Sequence, residues 1–335
     1  MQMVCGWLES YLKSYQTIPN KVPTTIRVSS KLVSVYKRPK YQIMLSKELE
    51  KKVEHSINLI KKGERTALRY RAEGYFVAFS GGKDSQVLLE LVKMAEVKHT
   101  AEYRFTTIDP PENVRFIKEY YPDVAIIRPA TTFYRLVLKH KTLPTQWMRY
   151  CCRELKESAN EHAVTLTGVR RDESARRSHR QEVFLMTRRR HPEFTQGTLD
   201  QFSRYQESTV ECLQGKDKLT INPILEWSEA DVWQFIKERQ LPINPLYLSG
   251  YTRVGCLFCP MSNIKSIRRD VEHYPKYYAA FIRLIHRMRE QCIKDRGFDY
   301  YAELTDEEVF WTWASKRGID YTRAMKQQLS IQFSE

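Results

Sequence analysis

The feature that most constrains this chain is the turn Ser80-Gly81-Gly82-Lys83-Asp84-Ser85, set between an apolar pentad and an amphipathic stretch. Tyr75 to Phe79 reads as a short buried strand, and Val87, Leu88, Leu89, Leu91 and Val92 read as the packing face of the helix that follows. Two adjacent glycines let the backbone turn tightly and approach a ligand closely. A helix opening near Asp84 points its unsatisfied N–H groups and positive dipole end into that turn, which suits phosphate. The common phosphate loop is excluded, because it needs Ser or Thr directly after the lysine and here Asp84 follows Lys83. The bland alternative is an ordinary strand-to-helix turn capped by Asp84 and Ser85.

From Tyr75 the chain alternates short apolar runs with helical periodicity, the pattern of an α/β fold with a doubly wound, mostly parallel sheet. The expected strands are Tyr75–Phe79, Tyr103–Ile108, Val124–Ile127 and Ala163–Thr167. The expected helices are Ser46 to about Leu68, Ser85–Val97, Pro111–Tyr121, Thr132–Lys139 and Arg153–Glu161. Ligands of such sheets lie beyond the carboxyl ends of the strands. Ser80, Asp109 and Gly168 each follow a strand end and are expected to line one crevice. Three regions are expected: a small basic N-terminal appendage over 1–50, with strand-like alternation from Ile26 to Tyr36, the α/β domain over 51–260, and a helical region over 261–335. Ser228 to Asp231 opens a helix whose Trp233 faces a core, and a long helix runs from Tyr274 to Lys294. Thr305-x-x-Glu308 forms a capping box for the last clear helix, with Gly318 suited to its end.

The formal net charge is +15, from 55 Lys and Arg against 40 Asp and Glu. Such an excess favours a polyanionic partner through counterion release, with generic surface charge or a highly anionic small substrate as the alternatives that composition alone leaves open. Arg170, Arg171, Arg176, Arg177 and Arg180 follow Gly168 directly, and guanidinium groups bind phosphate or sulfate bidentately. Arg188-Arg189-Arg190 reads more simply as a solvated loop. No apolar run is long enough to span a bilayer, and Met1 to Ser10 lacks a secretion-signal pattern, so a cytoplasmic protein without a membrane partner is expected.

Seven cysteines in such a chain argue against a disulfide framework. Cys151-Cys152 and Cys256-Leu257-Phe258-Cys259 form two pairs, with Gly255 allowing the backbone to bend. Four thiolates suit an iron–sulfur cluster or structural zinc, and adjacent cysteines are less usual for zinc. Cys5, Cys212 and Cys292 read as plain thiols.

Several segments together resemble the phosphoadenylyl-sulfate reductase family, within the ATP pyrophosphatases of the adenine nucleotide alpha-hydrolase-like fold. They are Ser80 to Ser85, Asp109, Gly168-Val169-Arg170-Arg171-Asp172-Glu173-Ser174, Asn222-Pro223-Ile224 through Trp233, Leu241 to Tyr247, Gly250-Tyr251, and the two cysteine pairs. The resemblance covers about Tyr75 to Pro260. It implies a nucleotide site at Ser80, Gly81, Gly82, Lys83, Asp84, Ser85, Gly168, Arg170 and Arg171, holding ATP with Mg²⁺. It gives catalytic parts to Lys83, Asp84, Asp109 and Arg170. It also implies a [4Fe–4S] cluster on Cys151, Cys152, Cys256 and Cys259, with structural Zn²⁺ as the alternative.

Two departures stand out. Pro110 and Pro111 replace the Thr-Gly that follows the family's strand-end aspartate. The family's C-terminal Glu-Cys-Gly-x-His is missing, since no cysteine follows Cys292. The expected activity is therefore that of relatives that adenylylate an acceptor for sulfur insertion, notably the ATP pyrophosphatases of DNA phosphorothioation. Nucleic acid is the expected partner, with DNA favoured, and a cysteine desulfurase the expected sulfur donor. Sulfonucleotide reduction, tRNA thiolation and non-catalytic nucleic-acid binding remain as alternatives.

Overall fold

A computed structural model describes residues 46–157, 163–186, 194–209 and 218–316. The strand-like alternation from Ile26 to Tyr36, Cys5, Cys212, Arg188 to Arg190, Gly318 and the side chain of Arg176 lie outside what it describes.

The chain enters through helix α1 (Lys47–Tyr70), capped by the Ser46 hydroxyl, which accepts from the Leu49 amide. Strand β1 (Tyr75–Phe79) follows, then helix α2 (Lys83–Ala95), β2 (His99–Arg104), α3 (Pro111–Tyr120), β3 (Ala125–Ile127) and α4 (Phe133–His140). Next come β4 (Val164–Leu166), β5 (Val183–Met186), β6 (Gln196–Gly197), α5 (Leu199–Thr209), β7 (Lys218–Ile221) and α6 (Glu229–Glu238). The described chain closes with α7 (Ile264–His273), α8 (Pro275–Arg296) and α9 (Asp306–Ala314).

The strands form one seven-stranded sheet in the order β3-β2-β1-β4-β7-β5-β6. The pairs from β3 to β7 are parallel, whereas β5 pairs antiparallel with both β7 and β6. The fold is thus α/β with a mostly parallel, doubly wound sheet. Helices cover both faces of such a sheet, which is why β1 reads as a continuous apolar run. Tyr75, Phe76, Val77 and Phe79 are all buried. The chain moves from β1 outward to β2 and β3, then returns to the other side of β1 with β4. A topological switch point therefore opens between β1 and β4, where ligands of open α/β sheets bind.

The expected second strand is corrected. It ends at Arg104, and residues beyond it turn instead of extending to Ile108. Asp109 fixes this turn by accepting from the amide and hydroxyl of Thr106, and Thr107 takes a φ of +70°. The expected helix Arg153–Glu161 is also different: a helical turn at Tyr150–Cys152 runs into a π-helical turn at Arg153–Glu157. Strands β5, β6 and β7 and helix α5 complete an edge that periodicity did not expose.

Two cores result. One lies around the sheet and packs α1, α2, α3 and α6 on it. The other joins α4 and the turn at 150–157 to α7, α8 and α9 through an aromatic group that includes Phe133, Phe258, Phe281 and Phe310. The cysteine pairs lie on the border of this second core, against which Cys151 and Cys256 pack.

Candidate functional site

The turn after β1 is held by its own serine hydroxyls and by side chains reaching it from two other segments. Gly81 adopts φ +75°, and a β-carbon there would stand 2.2 Å from Asn113 Oδ1, so only glycine fits. The Ser80 and Ser85 hydroxyls lie 3.0 Å apart, and the Ser80 hydroxyl accepts from the Gly82 amide at 3.3 Å. The Ser85 hydroxyl donates to the Gly82 carbonyl at 2.8 Å. Asn113 donates to the Ser80 carbonyl, and Asn244 donates to both the Gly81 carbonyl and Asn113 Oδ1. Both asparagines are buried, so the turn is held from behind by fixed amides. Helix α2 opens one residue earlier than the sequence suggested, at Lys83.

Lys83 is buried, with its ammonium 3.6 Å from Asp84 and 3.4 Å from Glu229, while donating to the Thr252 carbonyl. Its amide donates to the Tyr247 hydroxyl at 2.9 Å, and its ammonium stands 5.6 Å from the centre of the same ring. Tyr247 is packed edge-on by Trp233, which confirms Trp233 as a packing residue.

Gly168 lies directly behind the loop: a β-carbon there would come within 2.8 Å of the Asp84 carbonyl. Its smallness lets β4 approach the start of α2. Arg170 is buried and donates from Nε to Asp84 at 2.6 Å, with Nη1 near Asp172 and the Trp227 carbonyl. It orients Asp84 and does not offer an open guanidinium. Arg171 points away from the loop and is held by the Arg180 carbonyl, Gln181 and Glu226. Ser80 to Ser85, Gly168 and Arg170 are thus brought together, and Arg171 is not.

Asp109 is turned toward the cysteines. It is buried, and the Thr106 hydroxyl that donates to it also lies 3.3 Å from Cys256 Sγ. The Leu257 amide donates to the Ile108 carbonyl, tying the turn that follows β2 to the Cys-x2-Cys turn. In that turn Phe258 takes φ +49°, a left-handed conformation that a bulky residue adopts only under constraint. Its ring is locked in the second core, and its amide donates to Asp270 at 2.9 Å. The buried Asp270 carboxylate also accepts from the Tyr251 hydroxyl at 3.0 Å.

The four thiols influence one another electrostatically. Cys151 donates to Cys152, which, together with burial and the nearby Cys256 and Cys259, holds its own proton on. Cys152 is driven the other way by that hydrogen bond and by the Arg149 guanidinium. Burial raises the Cys256 thiol, and Lys156 opposes that rise. Cys256, with Asp109 and Cys152, keeps Lys156 firmly charged despite its desolvation. Two cations beside four sulfurs suit an anionic thiolate set. As they stand, no three His, Cys, Asp or Glu side chains among the described residues are arranged to hold a metal ion. No helix among those residues is long and apolar enough to cross a membrane.

Sequence reasoning missed Tyr247, Asn113, Asn244, Glu229, Lys156 and Arg149. Asn244 and Tyr247 had a signal, since both stand in the Asn-Pro-Leu-Tyr run. Lys156 lies one helical turn beyond Cys152. Asn113 had no signal.

A switch-point turn on a mostly parallel sheet, closed by a lysine-bearing helix start, places this domain among the doubly wound α/β folds. The phosphoadenosine phosphosulfate reductase domain matches residues 74–262. The chain belongs to that family. The uncharacterized protein MJ0066 of Methanocaldococcus jannaschii is 22% identical over 302 residues, covering 84% of this chain and 56% of the relative. The adenosine 5'-phosphosulfate reductase of Lysinibacillus sphaericus is 23% identical over 229 residues, covering 63% of this chain and 85% of the relative. The chain thus spans little more than half the length of the Methanocaldococcus relatives it matches. Among solved structures, phosphoadenylyl-sulfate reductase from Candida auris aligns with TM-score 0.38 at 19% identity, covering 64% of this chain and 97% of that one. The U34-tRNA thiolase of Methanococcus maripaludis with its [4Fe-4S] cluster aligns with TM-score 0.33 at 14% identity, covering 82% and 80%.

Proposed function

We propose that the chain is an ATP pyrophosphatase that adenylylates an acceptor for sulfur insertion, the acceptor being nucleic acid, with DNA favoured. One observation carries the reading. The Ser80–Ser85 turn and the four cysteines occupy the same carboxyl edge of the sheet, joined by the segment from Asn244 to Cys259.

The turn's amides and Lys83 would hold the β- and γ-phosphates of ATP, and the carboxylates of Asp84 and Glu229 would face the accompanying Mg²⁺. An acceptor oxygen then attacks the α-phosphorus in line. The bond to the bridging oxygen breaks, and pyrophosphate leaves with that electron pair. Such a step needs positioning and charge neutralisation above all. Arg170 serves it by fixing Asp84. Asp109 braces the turn that faces Cys256 and takes no proton in this scheme.

Cys151, Cys152, Cys256 and Cys259 would hold a [4Fe–4S] cluster, with Arg149 and Lys156 offsetting its charge; structural zinc is the alternative occupant. Such a cluster, when bound, supplies a soft site for sulfur. A cysteine desulfurase would deliver that sulfur, in a cytoplasmic setting.

The phosphosulfate reductase relatives favour a second reading, sulfite release from a sulfonucleotide. It needs a thiol nucleophile outside the quartet. Cys292 is unsuited to that part, being buried with its thiol against the Lys141 carbonyl.

The test is anaerobic purification followed by two assays. ATP should yield AMP and pyrophosphate faster with DNA or tRNA present, and adenylyl sulfate with a thiol should yield no sulfite. Sulfite formation without nucleic-acid-stimulated pyrophosphate release would overturn the reading.

A further inference from the structure

Trp147 is 87% exposed, the most exposed large apolar side chain among the described residues, and Met148 beside it is 51% exposed. Neither belongs to a frayed segment. The Thr145 hydroxyl accepts from the amides of both Trp147 and Met148, and the Thr145 amide donates to the Met148 carbonyl. The base of the loop is pinned as well: Trp313 donates to the Pro144 carbonyl at 2.7 Å and Tyr150 to the Thr142 carbonyl at 2.6 Å. A rigid loop therefore presents an indole to solvent, where a partner that covers it would gain by removing that apolar area from water.

Its neighbours indicate what that is. Arg149 follows two residues later, and the Arg153 amide donates to the Arg149 carbonyl, so the two arginines stand one helical turn apart on one face. Arg153 is exposed. Arg149 reaches both Cys152 and Glu157, and Lys156 lies behind them by Cys256. Of the acids on this stretch, Glu154 is engaged by Lys139 and His140, and Glu157 by Arg149. An exposed indole followed in the chain by two arginines, of which Arg153 is exposed, suits an unpaired base on the ring and phosphate on the guanidinium.

We propose that Trp147, with Arg149 and Arg153, is a stacking platform for an unpaired base of the nucleic-acid acceptor, delivering the adjoining backbone to the cysteine edge. This rests on the nucleic-acid reading above. A peptide partner lacks the phosphates that two adjacent arginines match, so the occupant is single-stranded nucleic acid.

The experiment uses the full chain and fluorescent single-stranded DNA and RNA oligonucleotides, followed by anisotropy over a range of salt. Trp147→Ala should weaken binding about ten-fold, the loss of one stacked base, while Trp147→Phe restores most of it. Arg153→Gln should lower the salt slope by about one. ATP affinity and thermal midpoint should match the parent in all three. Which oligonucleotide shows the Trp147 dependence tells DNA from RNA. Oligonucleotide binding unchanged in Trp147→Ala overturns the platform; if nucleic acid still stimulates pyrophosphate release in that variant, the proposed function stands without it. If nucleic acid fails to stimulate the parent, the proposed function falls, and Trp147-dependent binding would then support the platform alone.

Discussion

Arg170→Ala removes a guanidinium that is buried to 3% exposure and donates to Asp84 at 2.6 Å. Breaking a buried ion pair from one side costs about 3–5 kcal/mol, because the remaining charge loses its partner. The Asp84 side chain keeps 22% of its surface in water, which recovers part of that cost and places the loss near the lower end, about 3 kcal/mol. In a chain of this size such a loss lowers the thermal midpoint by about 4 °C. The same side chain contacts no open part of the crevice, so its effect on ATP must travel through Asp84. Arg170→Ala, Asp84→Asn and the double variant therefore form a cycle, read by urea denaturation and by ATP affinity. The double variant should cost well below the sum of the singles, with a coupling of about 2 kcal/mol, and ATP affinity should fall no further in it than in Asp84→Asn. Additive costs, with Arg170→Ala weakening ATP on top of Asp84→Asn, would refute the positioning argument and return Arg170 to direct phosphate contact.

Gly81→Ala forces a β-carbon to within 2.2 Å of Asn113 Oδ1 at φ +75°; calorimetric titration should register loss of ATP binding, and unfolding a cost of about 2 kcal/mol. Cys151→Ser and Cys256→Ser should each lower iron per chain in anaerobically purified protein, whereas Cys292→Ser should leave iron content and pyrophosphate release unchanged. Burial works to raise the Asp231 carboxyl, but hydrogen bonds from Lys52 and Ser228 outweigh it and hold it below the usual range. A depressed folded value means the carboxylate stabilises the fold above its unfolded value and loses that contribution as the pH falls. Asp231→Ala should thus cost about 1 kcal/mol at neutral pH, shrinking below about pH 4, as followed by urea midpoints across pH.

The parts legible in the sequence were those governed by local rules. The apolar pentad at Tyr75, the glycine pair, the helix start at Ser228, the Thr305 capping box and the long helix near Tyr274 all form as expected. β2 was misjudged because its buried residues alternate with Glu102 and Arg104, an ion pair at 2.6 Å whose charges disguise the strand. The roles of Arg170 and Arg171 were hidden for another reason. A guanidinium in a sequence announces charge, but whether it meets a ligand or Asp84 and Glu226 depends on residues far away along the chain. Asn113 and Lys156 acquire their roles only when α3 and the π-helical turn are folded against their neighbours.

Asp270 bonds one oxygen to Tyr251 and the other to the Phe258 amide. Tyr251 adjoins Thr252, whose carbonyl takes the Lys83 ammonium, and Phe258 is the link between Leu257 and Cys259. A single carboxylate on α7 thereby sets the spacing between the strip of chain over the Ser80–Ser85 turn and the strip that carries Cys256 and Cys259. Neither strip can shift by the width of an atom without stretching a bond to the same anchor. The two halves of this edge are held in registry by one anchor, with three hydrogen bonds and a few residues of backbone between the sulfurs and the lysine.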